Sequence, residues 1–330
     1  MMRTTRFVLL AGGMALTGVL WWKIGLGDVL SACAALSWRL LLLVTAPALL
    51  MVTCDALGWR FAFRRNRVRF LTLLSVRLAG EAVNLTTPTA SVGGEAVKAW
   101  LLRPYLPLAE SLPSVIIAKT TITIAQALFL LLGLLVAWTV VPPGSVLLDS
   151  MLALLALECI ATAGFVAVQV GGAAGAIGRV LERLGVPGAA GRPSLLRGVD
   201  AAFSHFYRHE PRRFGLSVGW HLAGWVLGIL ESYLILHGLG LSASLGTATV
   251  IDSFGSGIGF AAFLVPARLG AQEVGDVAIF TALGFGASTA LAFSLVRRLR
   301  EALWAAIGFL ALLLLERPSA GSVLAIEPEI

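Results

Sequence analysis

Charged residues are scarce in this sequence. Asp, Glu, Lys and Arg make up 13% of the 330 residues, whereas 58% are hydrophobic. Soluble globular proteins carry about 25% charged residues, so this composition excludes an ordinary water-soluble domain. The net charge of +7 would suggest nucleic-acid binding in a soluble protein. Here the basic residues gather beside apolar runs, as the positive-inside rule describes, and we expect no nucleic-acid partner.

Cysteine is scarce as well. Cys33, Cys54 and Cys159 are far apart and lie in or beside apolar segments. This placement excludes a disulfide framework and a cysteine-based metal site. His205 and His209 are four residues apart, but no third ligand accompanies them, so we predict no metal. A P-loop motif is missing, and we predict no cofactor.

Long apolar runs account for most of the remaining sequence. A helix needs about 20 residues to cross a bilayer. The candidate spans are residues 7–22, 40–58, 115–141, 148–170, 215–238 and 299–315. Residues 60–69 carry five arginines and residues 171–213 carry seven, whereas residues 142–144 and 239–250 carry no Lys or Arg. The arginine-rich loops are therefore predicted to be cytoplasmic, with both termini on that side.

Two further apolar segments, residues 71–104 and 251–296, are interrupted by Gly, Pro and charged residues. Irregular backbone persists inside a bilayer only where protein or a water-filled cavity satisfies its polar groups. We therefore predict a re-entrant helical hairpin in each segment. The tips are expected near Pro88 and Pro266.

A constant offset of 178 residues relates the two hairpins. It places Pro88 on Pro266 and Glu95 on Glu273, and it relates the flanking spans to each other. The loop charges make those spans run in opposite directions, so the two repeats are predicted to be inverted. Inverted repeats with broken helices build many secondary transporters, whose binding sites lie near the bilayer midplane between the repeats.

The predicted fold class is all-α. We expect a polytopic membrane helix bundle of about six spanning helices plus two re-entrant hairpins in inverted repeats. The chain is interpreted as one integral membrane domain, residues 1–330. Its parts are a first span and loop (1–39), repeat 1 (40–141), a linking span and cytoplasmic loop (142–214), repeat 2 (215–316) and a tail (317–330).

Polar residues in and beside the broken segments form the predicted substrate pathway. Ionisable groups inside a bilayer cost about 2.5–3.5 kcal/mol each on insertion scales, so they usually face a cavity or a partner. The pathway residues are Arg77, Glu81, Asn84, Pro88, Gly93, Gly94, Glu95, Lys98, Lys119, Pro266, Arg268, Gln272, Glu273, Arg297 and Glu301. Two interpretations stay open at this point: the charges handle a lipid headgroup, or they snorkel to the interface and pair structurally.

The hairpin motifs resemble a known family. Residues 88–100, PTASVGGEAVKAW, and 263–273, FLVPARLGAQE, are similar to the lysylphosphatidylglycerol synthase transmembrane, or flippase-like, family. The likeness covers nearly the whole chain and is greatest to the hopanoid-biosynthesis-associated HpnL branch. Membership implies an inner-membrane protein that moves, or helps to process, a lipid with a polar headgroup. In that branch the implied lipid is hopanoid-related.

Two departures from the family pattern qualify this expectation. Bifunctional members carry a soluble aminoacyl-transferase domain after the membrane region, and we expect no synthase activity here. Arg268 stands where a small residue, commonly Gly, is expected. We therefore predict a bacterial inner-membrane lipid translocase that is not an enzyme, with a membrane lipid as substrate and lipid-biosynthesis enzymes as possible partners. The alternatives are an intramembrane lipid-modifying transferase and a non-catalytic scaffold.

Overall fold

The computed structural model describes residues 38–64, 68–86, 92–172, 175, 183 and 193–315. All regular structure within these ranges is helical. The helices are α1 (Trp38–Ala62), α2 (Phe70–Thr86), α3 (Gly93–Leu101), α4 (Leu108–Val140), α5 (Val146–Val170), α6 (Pro193–His209), α7 (Pro211–Gly238), α8 (Leu245–Ala261), a 3-10 helix (Pro266–Arg268), α9 (Ala271–Ala282) and α10 (Ala287–Leu315). The predicted span 7–22, residue Pro88 and the tail 317–330 lie outside the described residues.

Three helices, α4, α5 and α7, are long and apolar enough to cross a membrane. They contain the predicted spans 115–141, 148–170 and 215–238 almost entirely. Local chemistry sets their starts: Pro107 precedes α4, the Ser145 hydroxyl accepts from the Leu148 N–H at the start of α5, and α7 begins at Pro211. The predicted spans 40–58 and 299–315 are also helical, within α1 and α10.

Helix α5 has the most apolar exposed surface of these three helices. Only 17% of its most apolar window is buried, against 50% for α4. Large side chains such as Leu152, Ile160 and Phe165 point away from the bundle. In a bilayer such a surface contacts acyl chains, so α5 lies at the lipid-facing edge of the protein.

Each broken segment contains two helices, α2 and α3 in the first and α8 and α9 in the second. At 1.5 Å per residue, α3 is about 13 Å long and α9 about 18 Å, both too short for a hydrocarbon core of about 30 Å. After α8 the chain turns through Ala267 (φ 49°), Arg268 (φ 56°) and Gly270 (φ 79°). Helix-break-helix segments therefore exist where hairpins were predicted, while their path relative to the bilayer stays a prediction.

The helix order of α1–α4 recurs in α7–α10. Each set has a long helix, a 17-residue helix, a short helix and a second long helix. The offset of 178 residues carries Gly93, the first residue of α3, onto Ala271, the first residue of α9. Packing crosses between the sets: α1 contacts α7, α2 contacts α10, and α4 contacts α8. The inverted relation of the two sets stays a prediction.

Candidate functional site

A polar pocket lies beside the second broken segment. Its walls come from α7, α8, the 3-10 helix, α9 and α10, and we call it the arginine pocket. It is lined by Trp225, Gly255, Ser256, Arg268, Gln272, Asp276, Ser294, Arg297, Arg298 and Glu301. The free volume is about 50 Å3, which is room for a few water molecules. The sequence-predicted residues Arg268, Gln272, Arg297 and Glu301 therefore meet in one cavity.

Arg297 is anchored at one wall of the arginine pocket. Its Nη2 donates to Asp252 Oδ1 of α8 at 2.9 Å, and the same carboxylate accepts from the Ser232 hydroxyl of α7 at 3.0 Å. The guanidinium also lies over the Phe293 ring, 5.5 Å from its centroid. Asp252 is only 3% exposed, so this ion pair links α7, α8 and α10 inside the bundle.

Arg298 holds the non-helical connection between α8 and α9 in place. Its Nε donates to Glu273 Oε1 at 2.9 Å, and its Nη1 donates to the Ala267 carbonyl at 2.7 Å and to Glu301 Oε2 at 3.1 Å. Glu273 in turn accepts from the Gly270 N–H at 2.7 Å. Glu273 is not one of the residues that line the arginine pocket, and it joins Arg298 to the start of α9.

Arg268 is the most exposed of the three pocket arginines, with 36% of its side chain accessible, and it donates to Glu301 Oε1 at 3.1 Å. Its φ of 56° is left-handed, a conformation that glycine adopts with little strain and other residues adopt at a cost of roughly 1–2 kcal/mol. This geometry explains why a small residue was expected at this position. The 3-10 helix that carries Arg268 also packs against α2, which brings the two broken segments together.

Asp276 completes the inner end of the arginine pocket. It is 1% exposed and accepts hydrogen bonds from the Ser294 hydroxyl and, at 3.3 Å, from the Gln272 amide. Gln272 Nε2 also lies 3.4 Å from the Gly255 carbonyl of α8. The pocket therefore presents three guanidinium groups together with two carboxylates, those of Asp276 and Glu301.

A second cluster lies at the first broken segment, and we call it the lysine cluster: Asn84, Gly94, Glu95 and Lys98. Gly94 N–H donates to Asn84 Oδ1 at 2.7 Å, and Asn84 Nδ2 donates to Glu95 Oε1 at 3.3 Å. Lys98 Nζ donates to the same oxygen at 2.9 Å although Lys98 is only 3% exposed. A Cβ on Gly94 would lie 2.5 Å from Asn84 Oδ1, so the close approach of α2 and α3 requires glycine here.

Arg77 pairs with a helix outside the two broken segments. It forms an ion pair with Asp55 of α1, and Asp55 Oδ1 also accepts from His221 Nδ1 of α7 at 3.0 Å. His221 Nε2 has no hydrogen-bond partner among the described residues and faces Gly58, where an added Cβ would lie 2.7 Å away. Backbone therefore closes off the free nitrogen of this Asp–His pair.

The remaining predicted pathway residues within the described ranges are Glu81, Gly93, Lys119 and Pro266. Glu81 and Lys119 are exposed and form no ion pair within the described ranges, although Lys119 is near enough to attract Glu95 electrostatically. Gly93 opens α3, and Pro266 opens the 3-10 helix. Arg77, Glu81 and Asn84 follow one another along α2, yet Asn84 is buried and Glu81 is exposed. Their spacing of four and three residues places them along one side of α2.

Sequence reasoning missed the acidic partners of the arginines. Asp252 and Asp276 were not selected, and Asp55 was not distinguished from other single acids. Each is a carboxylate within an apolar helix. An ionisable group inside a bilayer is energetically costly, and that cost is the signal that could have identified these three residues. Among the residues described, no group of three or more His, Cys, Asp or Glu side chains is placed to hold a metal ion.

The sequence matches a known protein family. Residues 6–308 match the family described as "Lysylphosphatidylglycerol synthase TM region". No curated protein and no solved structure matches the chain.

Proposed function

Because the chain belongs to the lysylphosphatidylglycerol synthase TM region family of multi-pass membrane proteins, we propose that it is a lipid translocase. It moves the polar headgroup of a membrane lipid between leaflets while the apolar tails stay in the bilayer. We place it in the bacterial inner membrane with both termini cytoplasmic. The likeness to the hopanoid-associated branch favours a hopanoid-related lipid with a polar headgroup.

The observation that carries this proposal is the arginine pocket in a bundle with an apolar exterior. Three guanidinium groups converge there beside two carboxylates. Arginine binds phosphate through paired, charge-assisted hydrogen bonds, so Arg268 and Arg298 are suited to an anionic headgroup. Glu301, which accepts from both arginines, then competes with the headgroup and speeds its release.

The pocket volume bears on how a headgroup enters. A free volume of about 50 Å3 is well below the roughly 300–1,000 Å3 of usual ligand sites. Entry therefore needs a shift of the segment between α8 and α9, which Arg298 and Glu273 hold in place. We propose that exchange of the Arg268–Glu301 pair for an Arg268–phosphate pair drives this shift.

We propose no covalent step in the reaction. An intramembrane transferase needs an accessible nucleophile–base pair or a metal centre. The Asp55–His221 pair offers no accessible base nitrogen, because His221 Nε2 faces Gly58. Enzymes of lipid biosynthesis are proposed as partners that supply or use the translocated lipid.

The experiment measures leaflet exchange in liposomes. Purified protein is reconstituted with a lipid that carries a fluorescent headgroup, and a membrane-impermeant quencher reports the fraction in the outer leaflet over time. We expect fast exchange with wild-type protein and at least about tenfold slower exchange with Glu301→Gln, since one charge-assisted hydrogen bond contributes roughly 1.5–3 kcal/mol. The control is Asp149→Asn, which alters an exposed acid at the start of α5.

Two outcomes would contradict the translocase. Exchange no faster than in protein-free liposomes would overturn it directly. A change in the mass of the recovered lipid would instead establish a transferase. A separate result, an exchange rate in Glu301→Gln equal to that of wild type, would show that the arginine pocket is not part of the mechanism.

A further inference from the structure

An acidic side chain is buried within the lipid-facing helix α5. Glu158 is 0% exposed, although its chain neighbours Leu157 and Cys159 are exposed. Neither of its carboxyl oxygens has a hydrogen-bond partner among the described residues. Buried polar groups in folded proteins are nearly always hydrogen-bonded, so two unpartnered oxygens on one side chain call for an explanation.

Further polar groups lie along the same face of α5. Thr162 is one turn beyond Glu158, and its hydroxyl is also buried without a partner among the described residues. Gln169, two turns further, donates to the Thr120 hydroxyl of α4 at 2.9 Å and accepts from the Tyr207 hydroxyl of α6 at 2.8 Å. The spacing places all three α5 residues on one side of the helix, with Thr162 one turn and Gln169 three turns from Glu158, and Gln169 is bonded to α6.

Among the residues that the structure describes, no charged group compensates Glu158. Helix α5 packs against α4, α6 and α8. The titratable residues of those helices are Glu110, Lys119, Arg197, Asp200, His205, Tyr207, Arg208, His209 and Asp252. None of these residues forms a hydrogen bond with either carboxyl oxygen of Glu158. An isolated buried carboxylate costs several kcal/mol, so the neutral form that holds a proton is favoured here.

One helix that packs against α5, α8, is also a wall of the arginine pocket. Leu154, one turn before Glu158, lies 3.3 Å from where a Cβ on Gly257 of α8 would be. Gln126 of α4 donates to the carbonyl of Ser256, a pocket residue on α8, at 2.7 Å. A charge appearing at Glu158 would therefore act on the α4–α8 contact that borders the pocket.

We propose that Glu158 is a proton-binding site and that its protonation and deprotonation couple headgroup movement to the transmembrane proton gradient. The carboxylate takes up one proton from one side of the membrane and releases it to the other, with Thr162, Gln169 and Tyr207 as the polar route towards α6. No other bond forms or breaks. The coupling rests on the proposed translocase function, whereas the proton site itself does not.

The first measurement tests the proton site without transport. Infrared spectra of the purified protein are recorded in the C=O stretching region of protonated carboxyl groups, for wild type, Glu158→Gln and Asp149→Asn. We expect a protonated-carboxyl band at neutral pH that loses intensity in Glu158→Gln and is unchanged in Asp149→Asn. A band of wild-type intensity in Glu158→Gln would overturn the proposal.

The second measurement tests the coupling. Liposomes with a headgroup-labelled lipid receive a pH difference of one unit across the membrane, and the leaflet ratio of the lipid is followed to steady state. One proton per lipid allows up to about tenfold accumulation in one leaflet. We expect the labelled lipid to accumulate in one leaflet with wild type and with Asp149→Asn. With Glu158→Gln we expect equal amounts in both leaflets, reached at an exchange rate no lower than that of wild type.

The outcomes separate the two proposals. An even distribution with wild type, despite rapid exchange, would overturn the coupling and leave the translocase intact. No exchange at any pH would overturn the translocase, and the infrared band would still decide whether Glu158 binds a proton. Thr162→Val, which removes only the neighbouring hydroxyl, is expected to slow the approach to the same steady state.

Discussion

Arg268 combines a left-handed backbone with a charged side chain that reaches Glu301. The strain costs roughly 1–2 kcal/mol, whereas a partly exposed ion pair stabilises by about 0–1 kcal/mol. Folding alone therefore gives no reason for arginine at this position. The side chain is instead explained by the headgroup that we propose it binds.

Substitution of Arg268 separates stability from transport. We expect Arg268→Gly to leave the free energy of unfolding within about 1 kcal/mol of wild type, because relief of strain offsets the lost ion pair and the greater freedom of glycine in the unfolded chain. Thermal unfolding in detergent and leaflet exchange are measured together. Arg268→Lys, which keeps a cation, is the control and should retain more exchange than Arg268→Gly. Equal exchange in both would show that the charge is not used.

Gly94 is required by the close contact between α2 and α3. A methyl group there would meet Asn84 Oδ1 at 2.5 Å and would also meet the Gly80 carbonyl. We expect Gly94→Ala to lower the free energy of unfolding by about 1–3 kcal/mol, the usual cost of overpacking. The matched control is Gly164→Ala on α5, where nothing lies within 4 Å of the added carbon and where helix propensity favours alanine by up to about 1 kcal/mol. Similar unfolding temperatures for the two variants would contradict this account.

One side chain, that of Arg298, makes several of the contacts that hold the segment between α8 and α9. Arg298 contacts Glu273, Glu301 and the Ala267 carbonyl. We therefore expect Arg298→Gln to increase hydrogen exchange of the amides in residues 262–270, since local opening is easiest where few contacts hold the backbone. Arg300→Gln is the control, because Arg300 pairs with Glu231 of α7 and does not contact this segment. Equal exchange in both variants would show that other contacts hold it.

Helix positions were more predictable than helix partners. The runs 115–141, 148–170 and 215–238 are largely apolar, and their length and composition predict the helices. The partners of Arg77 and Arg297 lie 22 and 45 residues away on other helices. Spacing along the sequence identifies residues on one helix face, but it does not show which faces meet. The pocket therefore contains the predicted Arg268 and Arg297, whereas Asp252, the carboxylate partner of Arg297, was missed.

At the scale of the whole molecule, loop charge predicts the orientation in the membrane. Single cysteines at Gly144 and Ser242 are expected to react with an impermeant thiol reagent from outside intact cells, and a cysteine at Arg212 only after permeabilisation. The native cysteines are replaced first. If the cysteine at position 212 reacts from outside and the cysteine at position 144 does not, the topology is the reverse of the predicted one. Labelling of both from one side would contradict the number of crossings between them.

The crossed packing of α2 with α10 and of α4 with α8 bears on biosynthesis. About 200 residues separate the end of α2 from the start of α10. At roughly 5–20 residues per second, the ribosome needs about 10–40 s to make that stretch. During this interval α2, with Arg77 and Asn84, stands in or near the bilayer without its main partner. The nascent chain is therefore a target for membrane proteases and for insertion factors that shield polar helices, and a premature stop before α10 leaves a product for degradation.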